Sequence, residues 1–176
     1  MMTFFLIGYR CTGKTTVGKA LAERLGLEFI DADEYLVVKA GKSIKQIFAE
    51  DAEPAFRDLE EQCLAELAGR AGVVVGAGGG AVMRQSNVQR MKAAGTVVLL
   101  ESDAATIYSR ITGDPKTDAQ RPSLTNKSQY DEIVHLLEYR KPYYHAAADI
   151  VLDSSDMTPD RLVDAILAAS ADERKP

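Results

Sequence analysis

Gly8-Tyr9-Arg10-Cys11-Thr12-Gly13-Lys14-Thr15 follows the short apolar run Thr3-Phe4-Phe5-Leu6-Ile7 and opens a segment in which Val17, Leu21, Ala22 and Leu25 share one helical face. The stretch matches GxxxxGK[ST], and a strand before it with a helix after it is the context that gives the pattern meaning. Glycines let the backbone curl until successive N–H groups point at phosphate oxygens. The N-terminus of the following helix adds partial positive charge. Lys14 is expected to reach the β- and γ-phosphates of a nucleotide, and Thr15 to offer its hydroxyl to Mg2+. Cys11 is read as a small loop residue whose N–H faces phosphate rather than as a redox thiol.

Outward from this loop, strand and helix signals alternate. Glu28-Phe29-Ile30, Val73-Val74-Val75, Val97-Val98-Leu99-Leu100 and Ile150-Val151-Leu152 read as further strands. A helix is expected from Asp33 to Ala40, stopped by Gly41, and Ser43-Ile44-Lys45-Gln46 is a capping box opening another. A longer helix is predicted from Ala52 to Arg70, and Thr158-Pro159-Asp160 opens the last one. The alternation predicts a three-layer α/β/α sandwich with a parallel sheet and right-handed crossovers. Ligands then bind beyond the carboxyl ends of the strands, where Gly8 to Thr15, Asp31 to Asp33, Gly76 to Gly80, Glu101 to Asp103 and Asp153 to Asp156 gather. Gly113 to Lys127 breaks the pattern, being polar, aperiodic and marked by Pro115 and Pro122; it reads as a functional lid or a disordered loop.

Composition limits the partners. The 176 residues suit a single domain of 1–176, large enough to need neither disulfide nor metal staple. With 21 Lys+Arg against 26 Asp+Glu the net charge is −5, which argues against nucleic acid as a partner. The most apolar stretch, Gly72 to Met83, is too short and glycine-rich to span a membrane. Met1-Met2-Thr3-Phe4 carries no basic region, so no signal peptide is expected and a cytoplasmic location is the default. No heptad or exposed apolar stripe stands out. His135 and His145 have no metal-ligand spacing and are read as helix-surface or locally hydrogen-bonded residues.

The remaining polar residues narrow the class. Asn126-Lys127-Ser128-Gln129 begins like the guanine-reading NKxD but ends in Gln, and Val73-Val74-Val75 runs into Gly76 where a motor ATPase carries an acid. Asp31, at the end of the second strand, is therefore the best placed carboxylate for Mg2+, with N-capping as the alternative use of Asp31 or Asp33. Arg57, Arg121 and Arg140 are separate in sequence, and Glu60 lies three residues after Arg57 on the same helix face. With the Gly78-Gly79-Gly80 turn they suggest a pocket for a small anion, since arginine grips carboxylates bidentately and bare backbone permits close approach. Lys14, Arg57, Arg121 and Arg140 would thus converge on one edge of an acidic protein.

Taken in order, the phosphate loop, Asp31-Ala32-Asp33, Phe56-Arg57-Asp58-Leu59-Glu60, Gly78-Gly79-Gly80, Arg121-Pro122 and Arg140 resemble the shikimate kinases over nearly the whole chain. The resemblance implies a five-stranded parallel sheet of the P-loop, nucleoside-monophosphate-kinase-like type. It implies ATP-dependent phosphorylation of the shikimate 3-hydroxyl, a step toward chorismate and aromatic amino acids. Residue by residue, it implies that Cys11, Thr12, Gly13, Lys14, Thr15 and Thr16 bind the nucleotide phosphates. Thr15 and Asp31 would hold Mg2+. Asp33 would accept from substrate hydroxyls, as an orienter or a general base. Arg57, Arg140 and the backbone of Gly78, Gly79 and Gly80 would bind the substrate, chiefly its carboxylate. Arg121 would swing in with the lid onto the transferring phosphate, so that Lys14, Asp33 and Arg121 form the catalytic set. Phe48 and Phe56 would line the pocket, Arg110 would lie near the adenine, and the turn at Ser154 would lie under it. The resemblance also implies a substrate-binding insert at 33–61, a lid at 113–127 and a monomer. The filling Tyr9-Arg10-Cys11-Thr12 is uncommon in the family, and these positions are expected to act mainly through backbone N–H groups. Other small-molecule kinases of this fold, acting on gluconate or nucleoside monophosphates, and a non-catalytic nucleotide switch are the alternatives.

Overall fold

Parallel strands covered on both faces need apolar residues at nearly every position, and that is how the central strands of this chain are written. The computed structural model describes residues 2–113 and 128–172. Its strands are β1 (Phe4–Ile7), β2 (Glu28–Asp31), β3 (Val73–Gly76), β4 (Thr96–Glu101) and β5 (Ile150–Asp153), all parallel in the order β2-β3-β1-β4-β5. Every residue of β1 and β3 is buried, whereas the edge strands β2 and β5 are partly exposed. The expected five-stranded parallel sheet is what the chain forms.

Seven α-helices are present among the described residues: α1 (Lys14–Leu25), α2 (Ala32–Ala40), α3 (Ile44–Ala68), α4 (Gln85–Ala94), α5 (Ala104–Gly113), α6 (Gln129–Ala147) and α7 (Pro159–Asp172). A short 3-10 helix, Ala81–Met83, follows β3. The two-residue period of a strand divides the core. Phe5, Ile7, Val75, Val97 and Leu99 pack with Leu64 and Leu67 of α3, Met91 of α4 and Tyr144 of α6. Phe4, Leu6, Val74, Val98 and Leu100 pack on the other face with Val17 and Leu21 of α1 and Leu162, Val163 and Ile166 of α7. Three layers follow from that alternation.

The helix signals act locally as written. Ser43 and Gln46 form the capping box of α3, and Gly26 closes α1 in the left-handed region at φ 65°. The two helices expected around Ala52 run on as one element, but Ala52 breaks it with φ 65° and ψ 171°. Gly113, assigned to the lid from sequence, ends α5. The rest of that segment, Arg121 included, lies outside the described residues.

Candidate active site

Between β1 and α1 the chain takes three residues of positive φ in six: Gly8 at 138°, Cys11 at 61° and Gly13 at 94°. A Cβ on Gly8 would stand 2.3 Å from the Leu100 carbonyl oxygen, so side-chain volume is excluded there. Lys14 Nζ folds over the loop and donates to the carbonyls of Gly8 (2.9 Å) and Tyr9 (2.7 Å). Thr12 Oγ1 donates to the Tyr9 carbonyl at 2.9 Å. The loop is also braced from outside. Ser154 Oγ, just after β5, lies 2.8 Å from the carbonyls of both Thr12 and Glu101. Arg110 of α5 donates from Nη1 to the Cys11 carbonyl (3.1 Å) and from Nη2 to that of Ser154 (2.9 Å).

Asp31 ends β2 and caps α2 with one oxygen, Oδ1 accepting from the N–H groups of Asp33 (3.0 Å) and Glu34 (3.3 Å). Its other oxygen, Oδ2, accepts from Thr15 Oγ1 at 3.2 Å. Capping and proximity to the loop hydroxyl, alternatives at the level of sequence, coexist in one carboxylate. A cleft of about 1070 Å3 runs along this edge, lined by Cys11, Thr12, Gly13, Lys14, Thr15 and Thr16, by Asp31 and Asp33, and by Arg110 and Ser154. A cleft of that size suits a nucleotide.

A second pocket adjoins it, lined by Phe48, Phe56, Arg57, Gly79, Gly80 and Arg140, with Tyr9, Arg10, Ile44, Glu132 and Leu136. Arg57 Nη1 donates to Glu60 Oε2 at 2.8 Å, while its Nε and Nη2 both reach Glu53 Oε1 (3.2 and 3.1 Å). Burial pushes the Glu60 carboxyl above the usual carboxylate range, and the Arg57 guanidinium offsets part of that push. Burial acts to lower the Arg57 pKa, but Glu60 and Glu53 outweigh it and hold the guanidinium firmly charged. Arg140 Nη1 donates to the Gly79 carbonyl at 3.2 Å, and the Tyr144 hydroxyl donates to the same oxygen. Two of the glycines leave room for the charged groups of the pocket. A Cβ on Gly80 would stand 2.4 Å from Arg57 Nη1, and one on Gly78 would stand 2.6 Å from Glu60 Oε1 and 3.0 Å from Asp33 Oδ1. The Phe48 and Phe56 rings, 4.9 Å apart, form an apolar wall.

Residues far apart in sequence therefore meet: the loop, Asp31, Asp33, Arg110 and Ser154 along the cleft, and Arg57, Arg140, Gly79 and Gly80 in the adjoining pocket. Sequence reasoning missed the side chains of Tyr9, Arg10 and Glu132. The loop pattern draws attention to backbone N–H groups, and Glu132, about two turns before Arg140 on α6, carries no motif. Of the histidines, His145 Nε2 pairs with Glu101 Oε1 at 2.8 Å on the surface.

The family model described as "Shikimate kinase" matches residues 10–171. The chain is 40% identical over 167 residues to a shikimate kinase of Persephonella marina, covering 95% of this chain and 98% of that one. The chain belongs to the shikimate kinase family. The shikimate kinase of Rhodopirellula baltica is 38% identical over 166 residues, 94% of this chain and 89% of its own. The shikimate kinase of Acinetobacter baumannii, solved in complex with shikimate, superimposes with a TM-score of 0.91 at 31% identity, covering 100% of this chain and 96% of that one. Family membership makes the chain a phosphotransferase. No described helix is long and apolar enough to cross a membrane.

Proposed function

We infer that the chain transfers the γ-phosphoryl group of ATP to the 3-hydroxyl of shikimate, releasing shikimate 3-phosphate and ADP. The observation that carries this reading is the pocket in which Arg57, Arg140 and the Gly79–Gly80 backbone stand beside the phosphate loop. A planar carboxylate fits two guanidinium groups, and the Phe48–Phe56 wall suits the apolar face of a small ring. Asp33 lines the cleft next to the Gly78 turn, a position from which it would accept from the acceptor hydroxyl. Phosphoryl transfer through a loose transition state needs little deprotonation before attack, so orienting that hydroxyl is the role we assign to Asp33.

On the nucleotide side, backbone N–H groups of Cys11 to Thr16 and the Lys14 ammonium would hold the phosphates. Arg110 and the Ser154 turn would frame the adenine. Thr15 Oγ1 and Asp31 Oδ2 are hard oxygen donors 3.2 Å apart at the phosphate end of the cleft, a set that suits Mg2+ completed by phosphate oxygens and water. Bound there, Mg2+ would neutralise charge on the β- and γ-phosphates. Arg121, outside the described residues, is assigned the transferring phosphate. Residues 33–61 would serve as the acceptor-binding insert and 113–127 as the lid that excludes water. The reading takes the protein as a cytoplasmic monomer acting on shikimate and ATP, with no nucleic-acid or membrane partner; the acidic balance supports the exclusion of nucleic acid.

ADP release measured in parallel with shikimate, gluconate and AMP tests the reading. Release that depends on shikimate alone is expected; release dependent on gluconate or AMP, or on none of the three, would overturn it.

A further inference from the structure

Among the described residues, Arg10 is the one charged residue that lines both the nucleotide cleft and the acceptor pocket. Its side chain is only 15% exposed, and its buried Nε has no hydrogen-bond partner among the described residues. The nearest described carboxylate is Glu132, 3.9 Å from Nη2 and itself buried. That separation supplies charge compensation without a short hydrogen bond. The guanidinium carbon lies 5.9 Å from the centre of the Tyr9 ring, and that of Arg140 lies 6.0 Å from the same ring. Arg10 and Arg140 thus both approach one aromatic side chain that lines the pocket. A buried N–H left unbonded is costly, so the side chain gains by turning its guanidinium toward an acceptor that a ligand in the pocket supplies.

Charge decides which acceptor. Arg57 is matched by Glu60 and Glu53, and Arg10 by Glu132. Arg140 has no carboxylate within 4.0 Å among the described residues and bonds only a carbonyl there. Arg57 and Arg140 already place two guanidinium groups on the pocket wall for the one substrate carboxylate. Arg10 is not needed for that charge, and it sits on the side of the pocket where the nucleotide cleft begins.

We propose that Arg10 is a further acceptor-binding residue of this kinase: its guanidinium donates to a ring hydroxyl of the substrate, not to the carboxylate, and Glu132 is the positioning residue that holds it. The proposal rests on the shikimate reading above. It adds a determinant that distinguishes a hydroxylated ring from a bare cyclic carboxylate. A site that donates to a substrate hydroxyl discriminates against the analogue lacking it far more strongly than an apolar pocket does.

The test compares two ligands, shikimate and cyclohexene carboxylate, which keeps the ring and carboxylate and lacks the hydroxyls. Dissociation constants are measured by calorimetry or ligand-observed NMR on the full chain, with steady-state KM for shikimate and ATP alongside. Arg10→Leu should weaken shikimate about tenfold or more while leaving cyclohexene carboxylate within about twofold, the loss expected for one charge-assisted hydrogen bond. The KM for ATP should stay within about twofold. Arg57→Ala should weaken both ligands. Arg10→Lys keeps a cation and should recover much of the shikimate affinity; if Arg10→Leu fails to fold, Arg10→Met, which keeps side-chain length and removes every donor, carries the same test. Equal weakening of both ligands by Arg10→Leu, no weakening of either, or a raised KM confined to ATP would each overturn the proposal. Wild-type protein that fails to bind shikimate would instead overturn the functional reading, so the two failures are separable.

Discussion

Thr15 Oγ1 lies 3.2 Å from Asp31 Oδ2, and the same aspartate caps α2 through Oδ1. One carboxylate thereby ties the nucleotide loop to the start of the acceptor-side helices. Asn caps about as well as Asp, so Asp31→Asn separates the two duties. The variant should keep its thermal midpoint yet need more Mg2+, with activity at limiting Mg2+ down about tenfold to a hundredfold. Asp31→Ala should in addition lose about 1 kcal/mol of stability with the cap. A Mg2+ titration of initial rate, read beside a thermal melt, checks both. An unchanged Mg2+ dependence in Asp31→Asn would remove Asp31 from the metal site.

Arg57 and Glu60 form a pair in which each partner makes burial of the other tolerable. Arg57→Ala should raise the KM for shikimate and cost roughly 3–5 kcal/mol, because Glu60 stays buried without its cation. The cost should depend on pH. Burial already raises the Glu60 carboxyl, and removing Arg57 removes the strongest opposing influence. A carboxyl whose folded pKa lies above its unfolded value binds a proton more readily in the fold, so stability falls as pH rises through that window. The variant should therefore lie closest to wild type in mild acid and diverge toward neutral pH. Urea unfolding across that range reads this directly, and Arg57→Ala/Glu60→Gln should abolish the pH dependence.

The break in α3 stores strain. Ala52, at φ 65° and ψ 171°, occupies a region that only glycine enters readily, at a cost of about 1–3 kcal/mol. Ala52→Gly should stabilise the protein by about 1 kcal/mol once the greater freedom of glycine in the unfolded chain is counted. A denaturant midpoint that falls instead would show that the break is not strained.

Glu61 holds α3 to α4 by bonding Arg84 at 2.7 Å and Arg90 at 2.8 Å. Its carboxyl is lowered to about 2, chiefly by Arg90, with Ser86 and Arg84 adding to the effect. A depressed folded pKa gives stability that is present above the unfolded value and lost as pH falls toward about 2. Glu61→Gln should thus be less stable than wild type near neutrality, and the difference should shrink on acidification through that window. A gap between the two proteins that stays constant down to the acid limit would count against the assignment.

The fold was legible because its signals are local. Phe4–Ile7 and Val73–Val75 are continuous apolar runs, which buried parallel strands require, and Gly8–Thr15 names its own turn. Gly78, Gly79 and Gly80 stood out as a run, although the reasons for two of them, clashes with Glu60 and Arg57, appear only in three dimensions. Arg10 was not legible. A loop motif specifies backbone geometry, while the direction of one side chain depends on Tyr9 and Glu132, the latter brought in by a distant helix. Arg110 is pointed to the nucleotide side by the family resemblance alone, and its joining of the Cys11 and Ser154 carbonyls appears only in the fold. The Ala52 break was placed near a helix boundary by the pattern, but its left-handed backbone was not, because alanine carries no turn signal.

In the proposed function, the pocket beside the phosphate loop presents the shikimate 3-hydroxyl to ATP. Phosphorus NMR of a reaction containing the protein, ATP, Mg2+ and shikimate tests it most directly. One new phosphomonoester signal is expected, coupled to the ring proton on carbon 3 and growing in step with ADP. Inorganic phosphate as the only new signal besides ADP, or a phosphomonoester coupled to a different ring proton, would contradict it.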